Sequence, residues 1–337
     1  MNVVITGVAG LLGSNFAEYL LMRKSFLGID NVIGIDNLSG GYREHLHLDD
    51  PNFIFLERDL TNPEDQKVIE EHFVKYPVTY VFHFAAYAAE GLSPFIRQFN
   101  YTSNIIPTAF LVNMSIKYNI KRFVFTSSMA VYGRNEVPFT ENLIPNPIDS
   151  YGIAKYACEM DLAAAFEQHN LEYTIIRPHN VYGKYQNIWD PYRNVIGIWM
   201  YQATQGLPFT IYGDGEQTRA FSYIDDSLPC LWNAAVYPKA KNQIINLGGK
   251  RHTSLNEVAK IVSDVTGKND IVHLEPRHEV KHAWSSYEKS EEILDYTENT
   301  SLERGIKLMW EWVKMTPERE RIFWKQYELD KNIYSYW

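Results

Sequence analysis

Short apolar runs alternate with longer stretches of mixed polarity through the first half of the chain. Asn2–Thr6 is β-branched and almost uniformly apolar, the mark of a strand covered on both faces. Residues 10–22 then carry apolar side chains at helical spacing. The same reading predicts strands at 31–35, 52–56, 78–84, 122–126 and 173–177, and helices at 63–75, 100–118 and 151–168. Alternation of this kind implies an α/β fold, a doubly wound parallel sheet of the Rossmann type with helices on both faces. Beyond about residue 180 the pattern changes. Residues 187–192 are aromatic and turn-rich, and short strands (209–212, 243–247) alternate with helices (196–204, 254–266). A smaller, interleaved C-terminal α/β domain is expected there. The last stretch, 318–337, is charged and aromatic, and its pattern leaves open a terminal helix or a surface for association.

Composition narrows the partners. A chain of 337 residues with 45% hydrophobic and 22% charged residues is ordinary globular material. The formal charge of −9 weighs against nucleic acid or an anionic membrane as partner, although a few local arginines can still hold an anionic small ligand. Cys158 and Cys230 have no neighbouring Cys or His, so neither a disulfide framework nor a metal site is expected, and both read as small buried side chains. The first strand starts directly after Met1 and no apolar run is long enough to span a bilayer, so a cytoplasmic protein is expected.

Gly7, Gly10 and Gly13 follow the first strand and open a helix, with Leu11 and Leu12 between the last two. Glycines at these positions allow a tight turn, close approach of a pyrophosphate and close helix–strand packing, and the helix N-terminus presents free N–H groups to the phosphates. Asp36, at the end of the second strand and followed by Asn37, can accept hydrogen bonds from the adenosine ribose hydroxyls and would repel a 2′-phosphate. NAD rather than NADP is therefore the expected cofactor. Asp59 and Leu60 close the third strand where an adenine edge could be held.

Tyr151 and Lys155 stand four apart on a predicted helix and share one face. A lysine ammonium and a positively charged nicotinamide both favour the phenolate, so a lowered Tyr151 pKa is expected, enabling proton removal from a substrate hydroxyl. Together with the Gly-x-x-Gly-x-x-Gly spacing, with His83-Phe84-Ala85-Ala86 on the fourth strand, and with Ser127-Ser128 ending the fifth, this pair resembles the extended short-chain dehydrogenase/reductase family. More narrowly, it resembles that family's NAD-dependent nucleotide-sugar epimerases and dehydratases, of the UDP-glucose 4-epimerase kind, over residues 1 to about 300.

The resemblance implies roles. Ser128 matches the catalytic Ser/Thr position, with Ser127 one register away; Phe84, Ala85, Ala86, Thr126 and Pro178 would lie along the cofactor, and Asn104 would support its surroundings. Asn180 and Arg219 match positions for the nucleotide diphosphate, Arg277 one for its phosphates or ribose and Tyr212 a substrate-binding segment, while Glu90 falls near the sugar and Arg193 in the substrate region, against base or sugar. His179, Trp189 and Trp199 are equally well read as packing residues. It also implies a division into an NAD-binding domain, 1–178 with a returning segment near 221–249, and a nucleotide-sugar domain, 179–220 and 250–337. A homodimer through the helices at 100–118 and 151–168 follows by the same analogy.

Met129 and Ala130 then discriminate among reactions. They occupy positions where related 4,6-dehydratases carry an Asp-Glu pair and related decarboxylases a Glu, and neither can carry a proton. The GDP-mannose 3,5-epimerases use a Cys where Ala130 stands. What remains is hydride transfer at one carbon: C4 epimerisation of a UDP-hexose-like substrate through a 4-keto sugar. A C4 dehydrogenase or ketoreductase would use the same Ser128, Tyr151 and Lys155, and a non-catalytic NAD- and sugar-binding member is the third reading.

Overall fold

The computed structural model describes residues 1–268 and 270–334. Seven strands form one sheet in the order Gln243–Leu247, Tyr173–Pro178, Arg122–Thr126, Val78–His83, Asn2–Thr6, Asn31–Asp36, Phe53–Glu57. Every neighbouring pair is parallel. The chain builds outward from Asn2–Thr6 on one side, then returns to Val78–His83 on the other. That reversal leaves a crevice at the carboxyl ends of the two inner strands.

Side chains alternate across the sheet. Val3, Ile5, Phe82, Val124 and Ile176 enter one apolar cluster, while Val4, Ile33, Val81, Phe123 and Ile175 enter another. Both faces are covered, which is why the strands read as continuous apolar runs. Pro63–Lys75, Arg97–Lys117 and Ser150–His169 supply the helices of the second cluster. Leu11–Met22 and Ile224–Val236 pack on the first. Asn62 starts the 63–75 helix by accepting from the N–H groups of Glu64 and Asp65, with Pro63 at its first position. Asp149 does the same for the 150–169 helix, accepting from Gly152 N at 2.8 Å.

The later segments are short. Thr218–Ala220 pairs with His252–Ser254 and His282–Ala283, and Phe209–Tyr212 pairs with Ile271–Leu274. Trp199, Phe209, Val258 and Met309 belong to the same apolar cluster as Val3, so the core runs on from the large sheet beneath these segments. Trp199 donates its indole N–H to Thr210 O at 2.9 Å and Trp189 packs edge-on to Tyr42, so both are packing residues. Cys158 and Cys230 are buried free thiols.

Two elements differ from expectation. The helix predicted to begin at residue 100 begins at Arg97. Ile96, just before it, offers no capping side chain; instead the Glu328 carboxylate accepts from Gln98 N (2.7 Å) and Phe99 N (2.8 Å). Residues 318–334 form neither helix nor strand. They run back across the molecule, where Trp324, Tyr327 and Tyr334 pack with Tyr87, Phe95 and Tyr192. Residues 335–337 of that predicted tail lie outside the described residues. Among the described residues no helix is long and apolar enough to cross a membrane.

Candidate active site

A cavity of about 1160 Å³ opens at the carboxyl ends of the central strands. Its floor begins with the glycine loop. Gly7 has φ +69°, and a Cβ there would stand 2.7 Å from Ala85 N; a Cβ on Gly13 would stand 2.1 Å from Gly7 O. The loop thus rests directly on residues 84–85, and the helix on the loop, as a side chain at either position would forbid. Gly10, Leu11 and Leu12 bring the helix N-terminus, with its unsatisfied N–H groups, to the cavity wall.

Asp36 lines the same wall. Its carboxylate accepts from Ala9 N (2.9 Å) and Leu38 N (2.7 Å), and burial holds its pKa above the ordinary value despite those bonds. Asn37 donates to Asp59 at 3.0 Å. Burial works against the charge on Asp59, but hydrogen bonds from Thr61 and Asn37 outweigh it and leave the carboxyl below its ordinary value. Leu60, Phe84, Ala85, Ala86, Thr126 and Pro178 complete this half. Behind it His83 bridges Thr6 (2.7 Å) and Thr108 (3.0 Å), and burial, helped by Lys155, pushes its imidazole well below the ordinary value, so it is neutral.

Asn104 is the one predicted site residue that does not line the cavity. It is buried behind the wall, where its amide accepts from Tyr87 N (3.2 Å) and donates to Asn100 O (2.8 Å). It therefore holds the 84–87 loop in place from behind.

Ser128, Tyr151 and Lys155 converge in the middle of the cavity. The Ser128 hydroxyl stands beside the Tyr151 phenol, where it favours the phenolate, and accepts from Ala130 N at 3.1 Å. Lys155 Nζ lies 5.9 Å from the Tyr151 ring centre and donates to Thr126 O at 2.8 Å. The Ser127 hydroxyl donates instead to Glu159, which forms a buried ion pair with Arg177. The strand-end ambiguity is thus resolved by partners: the Ser127 hydroxyl is committed to Glu159, and that of Ser128 stands beside the phenol.

The expected lowering of the Tyr151 pKa is not found in the polypeptide alone. Burial raises it, the Glu90 carboxylate raises it further, and the Ser128 hydroxyl only partly opposes them. Burial also pushes Lys155 down to about 8. Sequence spacing finds the Tyr–Lys pair but not this desolvation.

The outer half of the cavity holds the remaining predicted residues. Asn180 donates to Ala220 O at 3.0 Å. Arg277 stacks its guanidinium 3.8 Å from the Tyr212 ring centre. Arg219 donates to the carbonyls of Thr218 and Lys281 (2.9 Å each) and Val280 (2.7 Å), so most of its donors brace the wall. Arg193 is held by Asp190 at 2.9 Å and lies over Tyr87. Glu90 lines the cavity beside them. His179 is enclosed against Ser285 at 2.5 Å, with burial lowering it to about 4, so it is a neutral packing residue.

Two groups of cavity residues escaped the sequence reading. Asp149 was legible as the capping residue before the 150–169 helix. Arg321, Leu329 and Tyr334 reach the cavity from the C-terminal segment, and no local motif announces them.

The model for the NAD dependent epimerase/dehydratase family matches residues 3–248. A UDP-glucuronate 4-epimerase of Thermodesulfobacterium geofontis is 30% identical over 92% of this chain and 95% of its own. The crystal structure of UDP-glucose 4-epimerase from Thermotoga maritima, with UDP-glucose, superimposes with a TM-score of 0.86 at 34% identity, covering 93% of this chain and 99% of that one. The UDP-glucose 4-epimerase of Thermus thermophilus, in complex with NAD, superimposes with a TM-score of 0.85 at 26% identity over 94% and 100%. With a family model matched over most of its length and these relatives, this chain belongs to the NAD-dependent epimerase/dehydratase family, among the extended short-chain dehydrogenases/reductases.

Proposed function

We propose that the protein interconverts the C4 configuration of a nucleotide-activated hexose, of the UDP-hexose kind, in the cytoplasm. The observation that carries this reading is the Ser128 hydroxyl beside the Tyr151 phenol, one helical turn from Lys155, with Met129 and Ala130 following Ser128. That set can move one proton at one hydroxyl. It lacks, at 129 and 130, the groups that would extend the reaction to elimination.

The cradle fits a dinucleotide. Gly7 and Gly13 leave room that a Cβ would fill, Asp36 keeps lone pairs for ribose hydroxyls, and its carboxylate disfavours a 2′-phosphate. NAD held there would supply a reversible hydride acceptor for C4. Tyr151 takes the C4 hydroxyl proton, Ser128 orients that oxygen, and Lys155 contributes positive charge that favours the phenolate. The 4-keto sugar then turns over in the cavity and Tyr151 gives the proton back. Asn180, Arg219 and Arg277, with Tyr212 beneath Arg277, would hold the nucleotide diphosphate, and Arg193 the sugar side. A carboxylate at Glu90 would disfavour a uronate through like-charge repulsion unless Arg219 or Arg277 intervenes. Residues 1–178 with 221–249 would carry the dinucleotide, and 179–220 with 250–337 the sugar nucleotide. Ile106, Ile153 and Met160 on the helices Arg97–Lys117 and Ser150–His169 are exposed, and a second copy of the chain would cover them.

Mass spectrometry of ligands released from purified protein should give NAD. A panel of nucleotide sugars should show redox-neutral C4 interconversion with no net NADH. Stoichiometric NADH release without interconversion would overturn the reading in favour of a C4 oxidase. Sedimentation should give a dimer, and a monomer at working concentration would sink that part.

A further inference from the structure

The C-terminal segment 318–334 brings a charged side chain to the cavity that the chemistry above leaves unused. Arg321 lines the cavity together with Ile198, Gln202 and Thr210. Its guanidinium lies over the Tyr201 ring, 4.2 Å from the centre. Nε and Nη2 are enclosed without a hydrogen-bond partner among the described residues, and no hydrogen bond there engages Nη1, the nitrogen that stays accessible. Asp190 is a neighbouring carboxylate, but Arg193 holds it at 2.9 Å. An ionised group with idle donors, half withdrawn from water, gains from any acceptor a ligand brings. Anchors on either side fix where Arg321 stands. Arg319 lies over Tyr42 at 3.7 Å and pairs with Glu44. Trp324 packs edge-on to Phe99 at 4.7 Å, and its main-chain N–H donates to the Tyr192 hydroxyl at 2.9 Å.

The layout of the cavity indicates which acceptor arrives. Tyr151 and Ser128 set the sugar end, and Asn180, Arg219 and Arg277 the diphosphate. A nucleotide sugar is linear, so its nucleoside must continue past Arg277, away from Tyr151. Tyr212 lies beneath Arg277, and Thr210 lines the cavity two residues back on the same face of the strand Phe209–Tyr212. The helix Val195–Gln205 borders that end with Ile198, Gln202 and, under Arg321, Tyr201. Gln202 is turned to Thr210 through both amide atoms, accepting from its N–H at 3.2 Å and donating to its hydroxyl at 3.0 Å. We propose that Arg321 donates to the base of the substrate nucleotide and selects uracil or thymine over cytosine. A pyrimidine is joined to its ribose through N1, and C4 is the ring atom farthest from that bond. Uracil and thymine carry an oxygen acceptor on C4, cytosine an amino donor. A guanidinium has donors only, so cytosine would set donor against donor and leave both unpaired. Base selection is thus carried by a segment that is neither helix nor strand, pinned to both halves of the molecule.

This selection rests on the nucleotide-sugar reading, and the two fail differently. Calorimetric titration of NAD-loaded protein with uridine and cytidine diphosphates holds ribose and phosphates constant. Wild type should bind the uridine compound about tenfold more tightly, or better. Arg321→Gln, whose amide can donate or accept, should bring the two affinities within about threefold of each other while NAD is retained. Equal binding of both by wild type overturns the selection alone. So does an unchanged ratio in the variant, including an equal fall for both, which would give Arg321 to a phosphate. Binding of neither overturns the nucleotide-sugar reading as well. A second measurement needs no variant. Modification of Arg321 by phenylglyoxal, located by peptide mass spectrometry, should slow severalfold under saturating uridine diphosphate but not under pyrophosphate. Equal protection by both, or protection by neither, would overturn the proposal.

Discussion

Replacing Gly13 by alanine tests the cofactor cradle without touching any group that moves a proton. The new Cβ would stand 2.1 Å from Gly7 O, 2.5 Å from Val8 Cα and 2.8 Å from Gly7 C. Ordinary contact begins at 3.4 Å, so helix and loop must part by about 1.3 Å. All three obstructing atoms are backbone, and no rotamer change relieves them. Forcing a methyl group into a packed interior costs roughly 1–3 kcal/mol, against which alanine gains about 1 kcal/mol of helix propensity over glycine. The net loss expected in protein stripped of nucleotide is up to about 2 kcal/mol. The displaced Gly7 carbonyl is also the acceptor for Gly10 N at 3.1 Å, so the loop's own turn opens. NAD affinity should fall at least tenfold, about 1.4 kcal/mol.

Gly10→Ala is the internal control. Gly10 has φ −87°, open to any residue, and its Cβ would meet Gly7 O at an ordinary 3.4 Å. As an N-cap it should lose no more than about 1 kcal/mol. Urea denaturation of the stripped proteins and calorimetric titration with NAD measure both quantities. If Gly13→Ala matches wild type in stability and binds NAD within twofold, the steric argument is wrong. Equal damage from Gly10→Ala in the stripped protein would show that packing against Gly7 is not what singles out position 13.

Tyr151→Phe should cut C4 interconversion by roughly 10²–10⁴ while leaving NAD binding within a few-fold; turnover near the wild-type rate would remove the phenol from the reaction. Glu328→Ala removes the acceptor for two helix N–H groups and should cost about 1 kcal/mol in urea denaturation, so an unchanged midpoint would show that the C-terminal segment does not cap the 97–117 helix in solution. Burial lowers Lys155 to about 8 in the folded protein, against 10.5 ordinarily. Between those values the unfolded chain binds the extra proton, so the Lys155 share of stability rises with pH across that window. Comparing wild type with Lys155→Met from pH 7.5 to 10.5, both stripped of nucleotide, should reveal that rise, and parallel curves would contradict it.

The strands of the first half are legible because both faces of the sheet are covered and most positions in them are apolar. The glycine loop is legible because steric need is local: Gly7 and Gly13 sit next to the elements they allow to touch. Legibility ends where partners are distant. Glu328 lies 230 residues from Gln98, so no pattern around residue 97 foretells where that helix starts. Ser127 and Ser128 are both buried and chemically identical, and only Glu159, 32 residues on, tells them apart. The Tyr–Lys spacing pairs the right side chains, but the electrostatics at the phenol depend on burial and on Glu90 from another loop. Asn104 reads as a cofactor neighbour in the motif and turns out to hold the wall from behind.

The ion pair beneath the site explains why the register holds. Arg177 and Glu159 have side chains 2% and 3% exposed, and taking two such charges from water makes the pair a poor source of net stability. Its effect is geometric. Arg177 belongs to the strand Tyr173–Pro178 and Glu159 to the helix Ser150–His169, and a two-pronged contact at 2.9 and 2.5 Å fixes how far one can slide along the other. Glu159 also accepts from the Ser127 hydroxyl on the adjacent strand. A one-residue slip of that strand would take the Ser127 hydroxyl from Glu159 and leave a buried carboxylate one hydrogen bond short, at a cost of about 1–3 kcal/mol. Tyr151 lies about two turns before Glu159 on the same helix. One buried carboxylate therefore ties together the helix that presents the phenol, the strand of Arg177 and, through the Ser127 hydroxyl, the strand end that presents Ser128.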